Sequence, residues 1–375
     1  MQGIVTAPYA MILEASCGRR YPEPSHPYRN DYERDRDRII HSRAFRRLEN
    51  KTQVFTLRYS DHFRNRLTHT LEVTQISRTV AKSLGLNLDL VEALALVHDV
   101  GHPPFGHAGE EILNVLMEEH GDRFDHNLHA LRIVEHFEQK YAEFPGLNLT
   151  FEVREGIVKH SHAYDAERFP ELGEYDLTSQ PPVEGQLIDP ADEIAYNCAD
   201  LDDGYEAKLL PLSLIREHVP LFHRILRPLE RRYAAAPEKL KFNEALKRLI
   251  DALVTDLTAA TRQRLEGRGI RTLAQVRAQP DRLAALSPRM VRENEYLRTF
   301  LREHLYFHPT INSERKRITR AVERLFHHYL EHPRSLPASY FTQSQKEGVY
   351  RVVCDYIAGM TDNYFQRQYD KCLGE

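Results

Sequence analysis

The sequence contains no tryptophan, five methionines and four cysteines among its 375 residues. The cysteines (Cys17, Cys198, Cys354 and Cys372) are far apart and form no CxxC pair, so they are too few to staple a chain of this size, and a reducing, cytoplasmic setting is expected. No stretch approaches the ~18 consecutive apolar residues of a membrane-spanning helix. The N-terminus has no basic region before an apolar segment, so we expect no signal peptide.

Several catalytic signatures are also missing. There is no GxxxxGK[ST] and no GxGxxG after a strand, so P-loop and dinucleotide-binding folds are not supported. HExxH is absent, which argues against a zincin protease. A net charge of −4 with 41% hydrophobic and 28% charged residues is typical of a globular protein and excludes a disordered chain. It also gives no sign of a nucleic-acid coat or a membrane-surface binder.

Strand-like alternation is scarce, whereas helical spacing of apolar residues recurs along the chain. The spacing predicts helices over 66–84, from 87 or 89 to 97, after Gly106, after Asp125, and over 151–159, 191–200, 237–265, 290–304, 318–329 and 344–364. Residues 163–185 are rich in proline, glycine and acids and are predicted to be a loop insertion. The sequence therefore predicts an all-α protein.

Histidine is abundant, with 20 residues, and basic charge is concentrated in one stretch. Between Arg19 and Arg66 there are 13 basic and 7 acidic residues, a net charge of +6. This stretch is either a solvated arginine-rich face or a pocket for a polyanion. Arg46, Arg47 and Lys51 are weaker candidates for anion binding, because ion pairs with nearby aspartates would also explain them. The histidines are either scattered on the surface or gathered in a site.

The positions of some histidines in the sequence indicate that they are gathered in a site. His98-Asp99 comes just before the helix-breaking Gly101-His102-Pro103-Pro104, and a helix end can direct an imidazole and a carboxylate at one divalent ion. His69 lies 29 residues before His98, so an antiparallel helix pair would place it opposite. Each residue alone could instead be an ordinary polar side chain.

The longer pattern is more specific. His69, the run His98–His107 (HDVGHPPFGH) and Asp192 in ADEIAY resemble the HD-domain metallophosphohydrolases, and within them the bacterial deoxyguanosine triphosphate triphosphohydrolase family. Four further stretches resemble this family: 35–42 (DRDRIIHS), 45–48 (FRRL), 51–55 (KTQVF) and 201–204 (LDDG). The resemblance implies an HD-domain helical fold with additional C-terminal helices. It divides the chain into an HD core, 30–210, and a helical region, 211–375, packed on it as one structural unit.

The resemblance also implies site residues. The metal ligands are His69, His98, Asp99 and Asp192 around one divalent ion, with Mn, Mg, Fe and Co all compatible. His107 is the acid or base and Glu110, three residues later, orients it. His102 and His126 contact the phosphates, whereas His129 is expected to be bystander polar surface.

Four more residues are assigned to the substrate. Arg66 shares a helix face with His69 and would grip a phosphate. Gln53 would lie near the sugar and base. Tyr196 and Asp200 follow Asp192 at helical spacing, and the family positions face the deoxyribose.

These assignments predict hydrolysis of deoxynucleoside triphosphates (dNTPs), dGTP or several of them, to deoxynucleoside and inorganic triphosphate. Two alternatives remain open: an HD-family phosphodiesterase or monophosphatase, and a nucleotide-sensing regulator gated by an effector. The resemblance implies a homo-oligomer, commonly a hexamer. A dNTP activator, or a nucleic acid as effector only, remains an open partner, and no membrane partner is expected.

Overall fold

The computed structural model describes residues 6–53 and 63–374. Within these ranges the chain is mostly helical and forms no sheet, and β-type pairing is limited to three isolated bridges. The prediction of an all-α protein is confirmed. Val54 and Phe55, the end of one family-like stretch, lie outside the described residues.

The first half of the described chain contains nine α-helices. They are α1 Asp31–Ile40, α2 Arg43–Arg47, α3 Arg66–Leu84, α4 Leu88–Val97, α5 Gly106–Glu118, α6 His126–Arg132, α7 Phe151–Val158, α8 Val183–Gln186 and α9 Ile188–Glu206. Short turns of 3-10 helix cover Leu13–Ala15, Leu48–Asn50 and Pro170–Tyr175, and a π-helical turn covers Ile133–Phe137.

The second half adds nine α-helices of more varied length. They are α10 Leu212–His218, α11 Pro220–Arg232, α12 Glu238–Gly267, α13 Leu273–Arg277, α14 Pro288–Leu301, α15 Pro309–Glu331, α16 Ala338–Glu347, α17 Val349–Ala358 and α18 Asp362–Leu373. A π-helical turn, Arg302–Tyr306, extends α14, and Pro333–Ser335 is a 3-10 turn.

Most predicted helices occur at the predicted places, and two differ in an instructive way. The predicted helix over 344–364 is wrong: Gly348, with φ of 88°, separates α16 from α17, and the chain breaks again before Asp362. Helix α9 begins at Ile188, before the expected start at residue 191. Pro190 therefore lies in the first turn, where its missing N–H costs little because such groups have no intrahelical partner.

The described chain divides into two compact units that interleave in sequence. The first unit comprises the N-terminal residues up to Cys17, Leu71–Ala95 and Lys159–Pro309. In this unit, α12 packs against α9 and α11, and α14 packs against α9. Buried leucines at 249, 253 and 257 line the inner face of α12. The sequence-based boundary at residue 210 is a separate division and stays a prediction.

The second unit comprises Gly18–Thr70, Leu96–Val158 and the chain from Thr310 onward. Its apolar core joins α5 to helices from the C-terminal end of the chain. Buried side chains from α5, α15, α17 and α18 meet there, including Leu113, Leu116, Val322, Phe326 and Ile357. At about 25 cal/mol per Å² of buried apolar surface, this packing is the main force that fixes α5 on its neighbours.

Several arginines of the basic stretch form ion pairs inside the second unit. The side chain of Arg19 is buried and forms an ion pair with the buried Asp35 at 2.5 Å. Arg38 forms an ion pair with Glu23 at 2.7 Å and donates to the carbonyl of Leu147. These residues act in structural ion pairs.

Among the described residues, no helix is both long and apolar enough to cross a membrane.

Candidate metal and catalytic site

Three of the four predicted metal ligands come together in the second unit. His69 lies in the first turns of α3, and His98 and Asp99 follow the last residue of α4. All three are buried, and one ligand atom from each lies within 4.8 Å of the others. Two imidazoles and one carboxylate are donors that suit a divalent transition metal, so this group fits the ion that the sequence implies.

Asp99 is ionised by its surroundings. One oxygen, Oδ2, accepts a hydrogen bond from Nη1 of Arg66 at 2.9 Å, and the other, Oδ1, lies 2.8 Å from Nδ1 of His102. Burial alone would raise the pKa of this carboxyl, but Arg66, His102 and His98 hold it well below the usual range. A carboxylate that is charged at neutral pH is the form that binds a metal.

A second group of donors lies beside the first, and Asp99 of the first group contacts His102 of the second. His102, Glu110 and His126 each offer one ligand-type atom within 4.8 Å of the others. The rings of His102 and His126 stack with centroids 4.0 Å apart. Burial, followed by the charges of Arg66 and His126, lowers the pKa of His102 well below its usual value, so this imidazole is neutral at pH 7.

Glu110 is held more closely by His126 than by His107. Its Oε1 lies 2.7 Å from Nδ1 of His126 and also accepts from the backbone N–H of His126 at 3.1 Å. Nδ1 of His107 lies 3.7 Å from the other oxygen, and the His107 side chain is 81% exposed. Although burial opposes ionisation, His126 and His107 hold the pKa of Glu110 well below its usual range. Sequence spacing suggested only the pair with His107.

Two glycines allow these elements to approach each other. A Cβ on Gly101 would lie 1.9 Å from the carbonyl oxygen of His126, so no other residue fits where the turn after Asp99 meets α6. Gly106 has φ of 58°, and a Cβ there would lie 3.2 Å from Nη2 of Arg66 and from the carbonyl oxygen of Gln53. The glycines of the HDVGHPPFGH run are therefore needed for close packing.

His129 is not a surface residue, so the expectation of bystander polar surface is wrong about where it lies. It is 2% exposed, and its Nδ1 lies 2.8 Å from the carbonyl oxygen of Gly101. Because a carbonyl only accepts, Nδ1 carries the proton. Burial lowers the pKa of His129 to about 3. A sequence gives no sign of this role, since a buried histidine and an exposed one look alike.

Two of the predicted substrate residues, Arg66 and Gln53, lie in the second unit. Arg66 is buried against Asp99, and its Nε has no hydrogen-bond partner among the described residues. Gln53 is half-buried, and its side-chain oxygen is likewise buried without a partner in the described part of the chain. Both side chains therefore keep polar capacity for a ligand.

The remaining predicted residues, Asp192, Tyr196 and Asp200, belong to the first unit, on α9. Asp200 is buried, and its Oδ2 accepts a hydrogen bond from the hydroxyl of Tyr306 at 2.5 Å. Burial, then the charge of Asp200, raises the pKa of Tyr306 well above its usual value, so the hydroxyl stays protonated. Tyr306 has no role among the sequence-based predictions. In the structure it ends a π-helical turn, a distortion that is frequent at functional sites and that marks it as a candidate residue.

The chain is similar to known proteins over most of its length. A family described as HD domain matches residues 66–197, and one described as phosphohydrolase-associated domain matches residues 284–371. The deoxyguanosinetriphosphate triphosphohydrolase-like protein of Thiobacillus denitrificans is 46% identical over 364 residues, which cover 97% of this chain and 96% of that protein. This chain belongs to the HD-domain family of deoxyguanosinetriphosphate triphosphohydrolase-like proteins.

Other members of this HD-domain family are equally similar over the full length. The protein of the same description from Bordetella parapertussis is 45% identical over 97% of this chain and 95% of its own length. That from Geobacter metallireducens is 43% identical over 96% and 92%. The family is one of phosphohydrolases, and His69, His98 and Asp99 all lie within the matched HD domain. Asp192 also lies within it, and its role as fourth ligand stays a prediction.

Proposed function

We propose that this protein hydrolyses deoxynucleoside triphosphates to deoxynucleoside and inorganic triphosphate. In this reaction water adds to the α-phosphorus, the bond from that phosphorus to the 5′-oxygen breaks, and the 5′-oxygen takes up a proton. The relatives carry the description deoxyguanosinetriphosphate triphosphohydrolase-like, which supports a nucleoside triphosphate as substrate.

The observation that carries the proposal is the pair of donor groups that Asp99 joins. One group, His69, His98 and Asp99, would hold a divalent metal. The family resemblance adds Asp192 as the fourth ligand. The metal, when bound, supplies a Lewis acid for a phosphate oxygen and for water. The other group presents His102 and His126, and Asp99 contacts both His102 and the cationic Arg66. This arrangement suits a triphosphate, which carries about four negative charges and prefers arginine and imidazole partners.

The proton for the 5′-oxygen comes from a histidine that Glu110 orients. The carboxylate is ionised and lies near His126 and His107, so it can stabilise a positive imidazole at either position. In this proposal His107 transfers the proton, and His102 and His126 contact the phosphates. The shorter distance from Glu110 to His126 makes His126 the alternative proton donor, and single variants of the two histidines separate the roles.

Selectivity for deoxy over ribo substrates is assigned to the first unit. Asp200 would accept a hydrogen bond from the 3′-hydroxyl, and Tyr196 would occupy the place near a 2′-hydroxyl. The hydrogen bond from Tyr306 fixes the Asp200 carboxylate and supports this role. Gln53 would lie near the sugar and base.

The deciding experiment is turnover of each dNTP, alone and in a mixture of four, with Mn, Mg, Fe or Co supplied and the products separated by ion exchange. We expect inorganic triphosphate and deoxynucleoside. Orthophosphate or pyrophosphate as the phosphorus product would contradict the proposal and favour a phosphatase or diesterase. Activity only in mixtures would identify a dNTP activator.

We also propose a homo-oligomer, commonly a hexamer in the resembled family, in the cytoplasm. Light scattering after gel filtration tests its mass.

A further inference from the structure

A carboxylate from the C-terminal region contacts two segments of the candidate site. Asp362 is the first residue of α18 and is buried. Its Oδ1 accepts a hydrogen bond from the backbone N–H of Phe105 at 3.0 Å. Its Oδ2 accepts from the backbone N–H of Thr52, also at 3.0 Å, and from the Thr52 hydroxyl. One side chain thus joins two segments that are far apart in sequence.

The first segment leads directly into helix α5. Phe105 has φ of 64° and ψ of 22°, a left-handed conformation that has an energetic cost for a non-glycine residue. The hydrogen bond to Asp362 compensates for this cost, and the Phe105 ring packs edge-on against Phe365 with centroids 5.0 Å apart. Because Phe105 is the N-cap of α5, its conformation sets the direction in which His107 and Glu110 leave the turn.

The second segment supports the start of helix α3. Thr52 forms an isolated antiparallel bridge with Asn65, and the carbonyl of Lys51 accepts from the backbone N–H of Arg66 at 3.1 Å. Arg66 and His69 lie in the first turns of α3. A carboxylate that fixes Thr52 therefore also acts on the segment that holds these two side chains.

The buried Lys51 adds a second link to the same region. Its ammonium group donates to the carbonyl of His102 and, at 3.2 Å, to the carbonyl of Ala358, the last residue of α17. The turn between Asp99 and α5 is thus held at His102 by Lys51 and at Phe105 by Asp362. Both links run to the C-terminal helices.

We propose that Asp362 is a positioning residue for the catalytic site, holding the first turns of α3 and α5 in place through Thr52 and Phe105. The proposal rests on the proposed function, since it concerns the same site. An acid in the first turn of a helix is also favourable through the helix dipole alone. In that case its removal would lower stability without changing kcat.

The test compares Asp362→Asn with Asp370→Asn in the full-length protein. An asparagine keeps the shape but turns an N–H donor toward Phe105 or Thr52, so one hydrogen bond is lost. Asp370 lies on the same helix and is exposed, and its carboxylate accepts a hydrogen bond from the side chain of Gln366, one turn earlier on the same helix. The measurements are kcat and KM with a dNTP, metal content, melting temperature and the hydrogen-exchange rate of the Phe105 amide.

We expect Asp362→Asn to lower kcat about 10- to 100-fold, the range seen when groups that support catalytic or metal-binding side chains are removed. KM and metal content should stay within about threefold of wild type, and the Phe105 amide should exchange at least about tenfold faster. Asp370→Asn should match wild type in all of these. Equal kcat in the two variants would overturn the proposal.

Thr52 variants keep the test decisive if Asp362→Asn fails to fold. Thr52→Val removes only the hydroxyl contact and should lower kcat by a smaller factor, whereas Thr52→Ser should restore it. Unchanged kcat in Thr52→Val would overturn the proposal. If the wild-type protein does not turn over dNTPs, the proposed function fails, and the Phe105 amide then decides the positioning role: faster exchange in Asp362→Asn supports it, and unchanged exchange rejects it.

Discussion

Asp99 and Glu184 are both buried carboxylates, one in each compact unit, yet their surroundings drive their pKa values in opposite directions. Asp99 contacts Arg66 and lies beside His102, which hold its pKa well below the usual range against the effect of burial. Glu184 accepts from the backbone N–H groups of Met11 and Asn87, each at 3.0 Å. Burial raises its pKa from 4.5 to about 7.

The difference shows what distinguishes a candidate catalytic carboxylate from a structural one. Burial penalises the charged form of both side chains, and two amide donors offset only part of that penalty. The cationic Arg66 and the hydrogen bond to His102 reverse it at Asp99, and an ionised carboxylate is the form that binds a metal. Glu184 instead fastens the N-terminal segment to the start of α4.

The strongest test of this comparison is Asp99→Asn. We expect turnover to fall by at least about 1000-fold, equivalent to about 4 kcal/mol in the activation barrier, because an amide cannot replace an anionic ligand. Metal content, measured by mass spectrometry of the purified protein, should fall with it. Glu118→Gln, an exposed acid on α5, is the matched control. If Asp99→Asn keeps its metal and its activity, Asp99 belongs with Glu184 as a structural acid.

The second prediction concerns Glu110, which lies beside two imidazoles, those of His126 and His107. Glu110→Gln should lower kcat by about 100- to 1000-fold, because a neutral amide stabilises a positive imidazole poorly. Metal content should stay at the wild-type level, which separates Glu110 from Asp99. Parallel His107→Ala and His126→Ala variants identify the proton donor as the one whose removal also eliminates the pH dependence of kcat. Metal loss in Glu110→Gln would contradict this separation, because it would show that both donor groups hold the metal.

The sequence predicted the first donor group better than the second. His98-Asp99 and His69 are recognised by spacing along the chain, and helices α3 and α4 form where apolar periodicity predicts them. The contact of Glu110 with His126 spans 16 residues and depends on how α6 packs against the turn at Gly101, which no local pattern encodes. The interpretation of the basic stretch stayed open for the same reason, since ion pairs such as Arg19 with Asp35 depend on tertiary structure.

Contacts from the C-terminal helices were the least predictable part. The predicted helix over 344–364 ran through Gly348 and concealed the separate start of α18 at Asp362. This residue accepts hydrogen bonds from Phe105, 257 positions earlier in the chain, and from Thr52, 310 positions earlier. Such separations are set by the packing of α5 on α15, α17 and α18, so they follow from the assembled core rather than from periodicity.

The third prediction concerns Glu184, the structural acid of the comparison, and the pH dependence of the protein's stability. Since the pKa of Glu184 is raised on folding, the folded protein holds a proton that the unfolded chain releases between pH 4.5 and about 7. Its stabilising contribution is therefore present below pH 4.5 and is lost as the pH rises through about 7.

We expect Glu184→Gln to remove this pH dependence. Relative to the variant, the wild-type protein should lose up to about 3 kcal/mol of unfolding free energy between pH 4.5 and pH 9, measured by urea denaturation. The comparison across pH cancels the constant cost of a buried amide. Glu217→Gln, at an exposed position of the same unit, should track wild type. Identical pH profiles for Glu184→Gln and wild type would show that folding leaves the pKa of Glu184 unchanged and would contradict the prediction.

The smallest expected effect concerns Asp200, a buried carboxylate of the first unit that accepts a hydrogen bond from the hydroxyl of Tyr306. Tyr306→Phe removes the hydrogen bond to Asp200. We expect kcat/KM for a dNTP to fall about tenfold, or about 1.4 kcal/mol, because a less ordered carboxylate binds the 3′-hydroxyl less well. Metal content should not change. Tyr296→Phe, at a tyrosine that is 55% exposed on α14, is the control. An equal loss in both variants would separate Tyr306 from the substrate, and Asp200 would then join Glu184 as a buried acid that serves the fold.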